Sequence, residues 1–409
     1  MLNIEEPVKL QFLSNDGLGG LTPDFLDQEQ VKQVKRFHST FADYKATPLV
    51  SLDNLAAKLN VKKIYIKDEA YRFGLDAFKV LGGAYAIAKL LCKKLGVELD
   101  EIDFNYLKSK EVKEEIGDVT FVTATDGNHG RGVAWAASQL GYQAIVYLPK
   151  GSAKRRVEAI RETGAKAVVT DANYDKTVSY AINKAEIEDW LIVQDTAWEG
   201  YEEIPSWIMQ GYTTMADEAL LQMELDGIDK PTHLFLQAGV GSMAGSVLGY
   251  YANYYDGKPP ITTIVEPNDA ACIFKSAFVG DGLAHNVDSD LKTDMAGLAC
   301  GEPNPIAWQI LRDFSKMNVK CDDSVAATGM RMLANPLGND PRVIAGESGA
   351  VGLGLLTLLM NDSKLNEVRE ELDLNEDSVV LLFNTEGATD PINYQRIIWG
   401  GKGSLALNL

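Results

Sequence analysis

Short apolar runs alternate along this chain with longer segments in which apolar residues recur at helical spacing. The apolar runs, which have the length and composition of buried strands, are found at residues 62–66, 120–124, 144–148, 167–170, 233–236, 262–265 and 379–383. The segments with helical spacing are found at residues 130–140, 154–163, 175–186, 211–225 and 242–255. This alternation predicts an α/β fold with mainly parallel sheets.

The length of the chain indicates either two domains or one large α/β unit. The chain has 409 residues, which is long for a single ordinary core. The charged segment 100–117 has the character of a surface helix or an insertion, and the stretch 280–305, rich in Gly, Asp and Asn, predicts a long loop of the kind that often carries function. We predict a small domain at residues 97–205, inserted into a large domain formed by residues 1–96 and 206–409.

Composition and charge narrow the classes of partner. Apolar residues make up 46% and charged residues 24% of the chain, which are the proportions of a soluble globular protein. With 58 acidic against 39 basic side chains the net charge is −19, which argues against nucleic acids and anionic membrane surfaces as partners. The first residues lack an apolar signal sequence, and the longest apolar run, 351–360, is too short to span a bilayer. We therefore expect a cytoplasmic protein.

Neither the cysteines nor the histidines show the spacing of a metal site. They are Cys92, Cys272, Cys300, Cys321, His38, His129, His233 and His285. No metal is therefore predicted, and sparse cysteine usage fits a reducing compartment. The sequence leaves open whether Cys272 and Cys300 pair.

Lys79 is the residue that most strongly suggests chemistry. It follows the strand-like run 62–66 and a charged turn, and it lies between Phe78 and Val80 at the start of a helix-like segment. A helix N-terminus disfavours an ammonium, and apolar neighbours act in the same direction. Both effects favour the neutral amine that Schiff-base chemistry needs. A surface lysine with its charged end in water is the alternative, and this segment alone slightly favours that alternative.

Three polar loops, each directly after an apolar run, favour the chemical interpretation. Residues 123–132 read TATDGNHGRG, and the helix that they open can hold an anion while Asn128 offers a donor and an acceptor. Residues 237–246 read QAGVGSMAGS, a glycine-rich turn of the kind that cradles phosphate, although the acid expected of a dinucleotide site is missing at its usual spacing. Residues 384–390 read NTEGATD, where the Thr385 hydroxyl could bond a neutral ring nitrogen. Each loop alone also fits an ordinary turn.

In this order, the lysine segment and the three loops resemble the fold-type II pyridoxal-phosphate enzymes, the tryptophan synthase β family. Alanine replaces serine in the lysine motif, and a further family feature is a glutamate at a small-residue helix start. The matching segments are residues 77–84, 125–132, 239–243, 347–350 and 385–388. Together the matches extend from about residue 45 to residue 390.

This resemblance implies a fold, a cofactor and residue roles. The fold would have two open, mostly parallel twisted sheets flanked by helices, with pyridoxal 5'-phosphate bound to the large domain, a mobile small domain and a homodimeric assembly. Lys79 would bind the cofactor as a Schiff base and later move the α-proton, Asn128 would contact the phenolic oxygen, and Thr385 would face the pyridine nitrogen. The remaining cofactor contacts implied are Gly239, Val240, Gly241, Ser242, Met243 and Glu347.

Two aspartates point to the substrate. Asp126 replaces the serine that the family's dehydratases present to substrate; a carboxylate suits an ammonium group and can act as a base. Asp195 follows a strand-like run, at the place where open α/β sheets put ligand contacts. Taken singly, each aspartate is also compatible with a turn or a helix cap.

The strings TDGNHG, DAFK and QDTAW together are similar to the diaminopropionate ammonia-lyase family. This similarity implies an amino-acid substrate, 2,3-diaminopropionate, from which the β-amino group is eliminated to give pyruvate and two ammonia. Acceptance of both D and L isomers would need bases on opposite faces, Lys79 on one and Asp126 on the other, with Asp195 in support. A serine or threonine dehydratase is the alternative; an amino-acid sensor and a dinucleotide-dependent oxidoreductase are less favoured.

Overall fold

The computed structural model describes residues 1–4, 8–15, 17–125 and 127–405. The strands are β1 (Leu2–Ile4), β2 (Leu10–Ser14), β3 (Leu49–Ser51), β4 (Lys63–Asp68), β5 (Thr120–Ala124), β6 (Gln143–Leu148), β7 (Lys166–Val169), β8 (Leu191–Ile192), β9 (His233–Gln237), β10 (Ile261–Pro267), β11 (Met317–Cys321) and β12 (Val379–Asn384). The helices are α1 (Gln28–Ser39), α2 (Asp53–Lys58), α3 (Val80–Leu95), α4 (Phe104–Leu107), α5 (Lys110–Ile116), α6 (Asn128–Leu140), α7 (Lys154–Arg161), α8 (Tyr174–Glu188), α9 (Glu203–Leu225), α10 (Ser242–Tyr254), α11 (Cys272–Val279), α12 (Pro305–Phe314), α13 (Asp323–Ala334), α14 (Glu347–Asn361), α15 (Asn366–Glu371) and α16 (Pro391–Ile398).

The larger sheet has eight strands in the order β1-β2-β11-β10-β9-β12-β4-β3. Its centre is parallel, and the short strands β1, β2 and β3 add antiparallel pairs at the two edges. Every residue of β9 and β12 is buried, as expected of central parallel strands covered on both faces. Because these two strands are parallel neighbours, the residues at their carboxyl ends lie side by side.

The smaller sheet has four parallel strands in the order β7-β6-β5-β8. Helices α6, α7 and α8 follow β5, β6 and β7 in the repeated strand–helix pattern that the sequence predicts. The α/β prediction with mostly parallel sheets is therefore confirmed for both sheets. Buried β-branched and aromatic residues along the strands explain why the prediction succeeded.

The chain divides into two compact units, each with its own sheet. The first unit comprises Met1–Asp24, Thr47–Tyr71 and Met215–Leu409, and the second comprises Phe25–Ala46 and Arg72–Thr214. The four-stranded sheet lies within the predicted 97–205 segment, whereas the second compact unit also takes in α1 and α3. The narrower boundaries of the predicted small domain stay a prediction.

Helix α9 begins at Glu203, well before the predicted start at residue 211. Pro205 is tolerated because it lies in the first turn, where its missing N–H has no helical partner to lose. Gly211, which suggested a helix start, instead permits close packing: a Cβ at this position would lie 2.6 Å from the carbonyl oxygen of Leu81. This glycine therefore marks the close packing of two backbone segments and not the start of a helix.

Two other segments behave as the composition predicted. The charged segment 100–117 forms α4 and α5, which are anchored by Phe104 stacked on Phe41 with ring centroids 4.0 Å apart. The stretch 280–305 is a long loop that contains only the 3-10 helix Ala296–Leu298 before α12. In the described parts of the chain, no helix is long and apolar enough to cross a membrane.

Candidate active site

Lys79 lies immediately before α3, as the sequence predicted. Its side chain is 17% exposed, and its Nζ donates to Asp195 Oδ2 over 2.7 Å. The preceding Phe78 packs its ring against that of buried Tyr212, with centroids 4.7 Å apart. The amine is therefore held at a helix start, beside one carboxylate and among aromatic rings.

The strands β5 and β8 are parallel neighbours whose carboxyl ends share one edge of the smaller sheet, which places Asp195 near the start of α6. Lys79 reaches it there because the lysine segment packs against the start of α6. The Gln194 side chain fixes this loop by accepting from the Ala124 backbone N–H over 3.0 Å. His129, in the first turn of α6, bonds the Val193 carbonyl oxygen through Nε2 at 2.8 Å. Its Nδ1 lies 3.9 Å from Asp195 Oδ2, so the carboxylate faces both the His129 ring and the Lys79 amine.

The charge state of Asp195 follows from these neighbours. Burial acts most strongly and by itself would raise the pKa of the carboxyl, but the nearby positive charges of His129 and Lys79, with the Lys79 hydrogen bond, outweigh it. The net result lowers the pKa of Asp195 to about 2. The group is therefore an anion at every ordinary assay pH.

Asp195→Asn is expected to destabilise the cofactor-free protein, in which Lys79 keeps a free amine. Because the pKa of Asp195 is lower folded than unfolded, its contribution to the free energy of unfolding is present above about pH 4 and is lost as the pH falls toward 2. We expect a loss of about 2–3 kcal/mol at pH 7. Urea unfolding between pH 3 and pH 8 measures it, with the exposed Asp171→Asn as control. A wild-type advantage that vanishes between pH 6 and pH 8 would contradict this origin.

Asn128 is the first residue of α6 and is half-buried. The start of this helix packs closely on the lysine segment, because a Cβ on Gly132 would lie 2.8 Å from the backbone nitrogen of Val80. Within the second unit, Lys79, Asn128 and Asp195 therefore belong to one neighbourhood. Asp126, the predicted second base, lies outside the described residues.

The predicted phosphate loop connects β9 to α10 in the first unit. Gly241 has φ +94°, a left-handed conformation that glycine adopts without strain, and it brings the chain into the helix start at Ser242. Asn304 holds the loop in place by donating its backbone N–H to the Val240 carbonyl oxygen at 2.7 Å and its Nδ2 to Ser242 Oγ at 2.9 Å. The N-terminal amides of a helix after such a turn form an anion site. The predicted phosphate contacts lie in this turn, at Gly239, Val240 and Gly241, and at the first two residues of α10, Ser242 and Met243.

Thr385 and Glu347, the other predicted cofactor contacts, are buried in the same unit. Thr385 follows β12, and its Oγ1 accepts from Gln237 Nε2 at 2.9 Å. Glu347 is the first residue of α14, and its Oε1 accepts from Asn393 Nδ2 at 2.6 Å. The first unit thus brings a hydroxyl, a carboxylate and a helix N-terminus to the carboxyl side of its central strands.

Cys272 and Cys300, whose pairing the sequence left open, are buried and form no disulfide with each other. The Cys272 thiol donates weakly to the Gly239 carbonyl oxygen at 3.4 Å. Among the described residues, no group of three or more His, Cys, Asp or Glu side chains could hold a metal ion.

The second unit offers a lysine amine at a helix start, and the first unit offers a glycine turn before a helix and a hydroxyl at the end of a neighbouring strand. Each of these groups is of a kind that an anionic carbonyl cofactor needs. Residues 41–384 match the pyridoxal-phosphate dependent enzyme family. The chain belongs to this family, and its cofactor is pyridoxal 5'-phosphate.

More particularly, the chain is similar to diaminopropionate ammonia-lyase of Escherichia coli strain K12, with 52% identity over 400 residues that cover 98% of each protein. The crystal structure of the E. coli enzyme in complex with D-serine has a TM-score of 0.92 and 52% identity, covering 98% of this chain and 99% of that chain. Its complex with an aminoacrylate–PLP azomethine reaction intermediate has a TM-score of 0.90 and 51% identity over the same shares.

The residues present fit this cofactor. The helix start behind Gly241 suits a phosphate, the Lys79 amine suits a carbonyl carbon, and the Thr385 hydroxyl suits a ring nitrogen. Sequence reasoning assigned no role to His129, Gln237, Asn304 or Tyr212, which hold these groups in place. Position at or near a strand end or a helix start is the one local signal that could have identified three of them, namely His129, Gln237 and Asn304.

Proposed function

We propose that this protein is an ammonia-lyase that eliminates the β-amino group of 2,3-diaminopropionate, in both D and L forms, to give pyruvate and two ammonia. The observation that carries the proposal is the 2.7 Å contact between Lys79 Nζ and the anionic Asp195. This contact supports an amine that accepts and returns protons beside a fixed negative charge. The 52% identity to the E. coli ammonia-lyase supports the choice of substrate.

The residues have the following proposed roles. When bound, pyridoxal phosphate supplies the electron sink for the deprotonated α-carbon. Lys79 anchors the cofactor and takes the α-proton, while Asp195 stabilises the proton-bearing amine. Asn128 contacts the phenolic oxygen, Thr385 the ring nitrogen, and Glu347 borders the cofactor. The remaining role, binding of the phosphate by backbone amides and the α10 dipole, falls to Gly239, Val240, Gly241, Ser242 and Met243.

Asp126 carries the substrate discrimination in this proposal. A carboxylate attracts the second ammonium group of diaminopropionate, whereas the hydroxyl of serine or threonine offers it no charge. A β-ammonium group also leaves without a strong acid, since it already carries the proton with which it departs as neutral ammonia. The serine or threonine dehydratase alternative is therefore less favoured, although the E. coli relative is known in complex with D-serine.

A comparison of substrates tests the proposed function. Pyruvate and ammonia are measured together in the steady state with D- and L-2,3-diaminopropionate, D- and L-serine, and L-threonine. We expect kcat/KM to be at least about tenfold higher for diaminopropionate than for serine, because one well-placed charge contact is worth that much. Two ammonia should appear per pyruvate with diaminopropionate and one with serine. Preferential turnover of serine or threonine would instead establish a dehydratase.

The other implied properties stay predictions. The family resemblance supports a homodimer and a mobile small domain at residues 97–205, and the composition supports a cytoplasmic location and the absence of nucleic-acid and membrane partners.

A further inference from the structure

Gln237, the last residue of β9, makes two buried hydrogen bonds at the carboxyl end of the larger sheet. Its Nε2 lies 2.9 Å from the Phe383 carbonyl oxygen and 2.9 Å from Thr385 Oγ1. Both side chains are 3% exposed. Gln237 and Thr385 are 148 residues apart in sequence and meet because β9 and β12 are parallel neighbours.

The Phe383 carbonyl fixes the direction of the second hydrogen bond. A backbone carbonyl oxygen only accepts, so the amide atom that faces it must be the NH₂ nitrogen. That nitrogen has two hydrogens, and the second of them is directed at Thr385 Oγ1. The threonine oxygen therefore accepts from Gln237, and the hydroxyl's own hydrogen has to be donated elsewhere.

We propose that Gln237 is a positioning residue that makes the Thr385 hydroxyl a donor to the pyridine nitrogen of the bound cofactor. This inference rests on the proposed function, in which Thr385 faces that nitrogen. An unprotonated pyridine nitrogen has one lone pair and can only accept, so the Thr385 hydroxyl has to donate its hydrogen to that nitrogen. Because the Gln237 amide donates to a lone pair of Oγ1, the hydroxyl hydrogen is directed away from Gln237 and is available for this bond.

The position of Gln237 also links the Thr385 hydroxyl to the predicted phosphate-binding turn. It is followed directly by the turn that leads through Gly241 into α10, so one strand end sets both the phosphate turn and the direction of the Thr385 hydroxyl. Without the amide, the hydroxyl is free to rotate and to present its lone pair to the ring nitrogen. That arrangement favours a protonated ring nitrogen and a different electron demand on the α-carbon.

The test uses holoenzyme reconstituted with pyridoxal phosphate labelled with ¹⁵N in the ring. In wild type, we expect the nitrogen resonance of an unprotonated, hydrogen-bonded pyridine that does not titrate between pH 6 and pH 9. Gln237→Met, similar in length but without donors, should move this resonance and the visible absorbance, and lower kcat about tenfold with KM within about twofold. Thr385→Val should move the resonance too, and adding Gln237→Met to it should move it no further. Thr385→Ser should restore the wild-type value.

Thr262→Val is the matched control, because it removes a buried hydroxyl at the amino end of β10 in the same unit. It should leave the resonance unchanged. An unchanged resonance in folded Gln237→Met overturns the inference. A protonated ring nitrogen in the wild-type protein also overturns it, and this second measurement does not depend on the folding of any variant. Failure of the proposed function is distinguishable, since wild type would then bind the cofactor but release no ammonia from diaminopropionate.

Discussion

Lys79→Ala is expected to abolish turnover of 2,3-diaminopropionate and to remove the visible absorbance of the lysine-bound cofactor. The substitution deletes both the covalent anchor and the amine that takes the α-proton. General base catalysis and covalent catalysis together contribute at least about a thousandfold, so kcat/KM should fall by that factor or more. Absorbance of the purified protein and a coupled pyruvate assay measure the two effects separately.

Lys93→Ala is the control for this experiment. Lys93 lies on the same helix as the lysine segment, is largely exposed and pairs with Glu203. Since exposed ion pairs contribute little, this variant should keep the absorbance and the activity of wild type. Retention of the lysine-bound absorbance in Lys79→Ala would show that another lysine anchors the cofactor.

Local patterns were sufficient to locate the strands and the loops of the site. The predicted run at residues 120–124 coincides with β5. The helix predicted at residues 242–255, after the glycine turn, begins at the same residue as α10 and ends one residue later. Buried central strands have a continuous apolar signal, and turns that need glycine show it directly. The strands β1, β2, β3 and β11 were not among the predicted runs. For β1 and β3 the reason is length, because three residues are too few to show a period.

The contacts that make these loops a site could not be predicted from local spacing. Lys79 and Asp195 are 116 residues apart, and their 2.7 Å contact depends on the pairing of β5 with β8 and on the packing of α3 against α6. The low pKa of Asp195 depends in turn on His129, which sequence reasoning treated only as a member of a loop. The order of the strands in a sheet brings distant segments together, and a single sequence does not show this order.

Asp126→Asn is expected to abolish activity on D-2,3-diaminopropionate while sparing at least part of the activity on the L isomer. The two isomers present the α-hydrogen on opposite faces, and one base cannot reach both. Lys79 serves the L isomer in this scheme, and Asp126 serves the D isomer. Asparagine keeps the volume and the hydrogen-bonding capacity but cannot take a proton. We expect kcat/KM to fall at least about a hundredfold for the D isomer but only about tenfold, the loss of one charge contact, for the L isomer.

Asp118→Asn is the matched control, because Asp118 is exposed and precedes β5, whereas Asp126 follows its carboxyl end. This variant should turn over both isomers at wild-type rates. A loss specific to the D isomer in Asp126→Asn can then be assigned to the carboxylate at position 126 and not to the loss of an acidic residue near β5. The isotope effect of α-deuterated D substrate should also show whether proton abstraction limits the residual rate. Equal losses for the two isomers in Asp126→Asn would mean that the aspartate only binds the ammonium group of either isomer, and that Lys79 alone moves the proton.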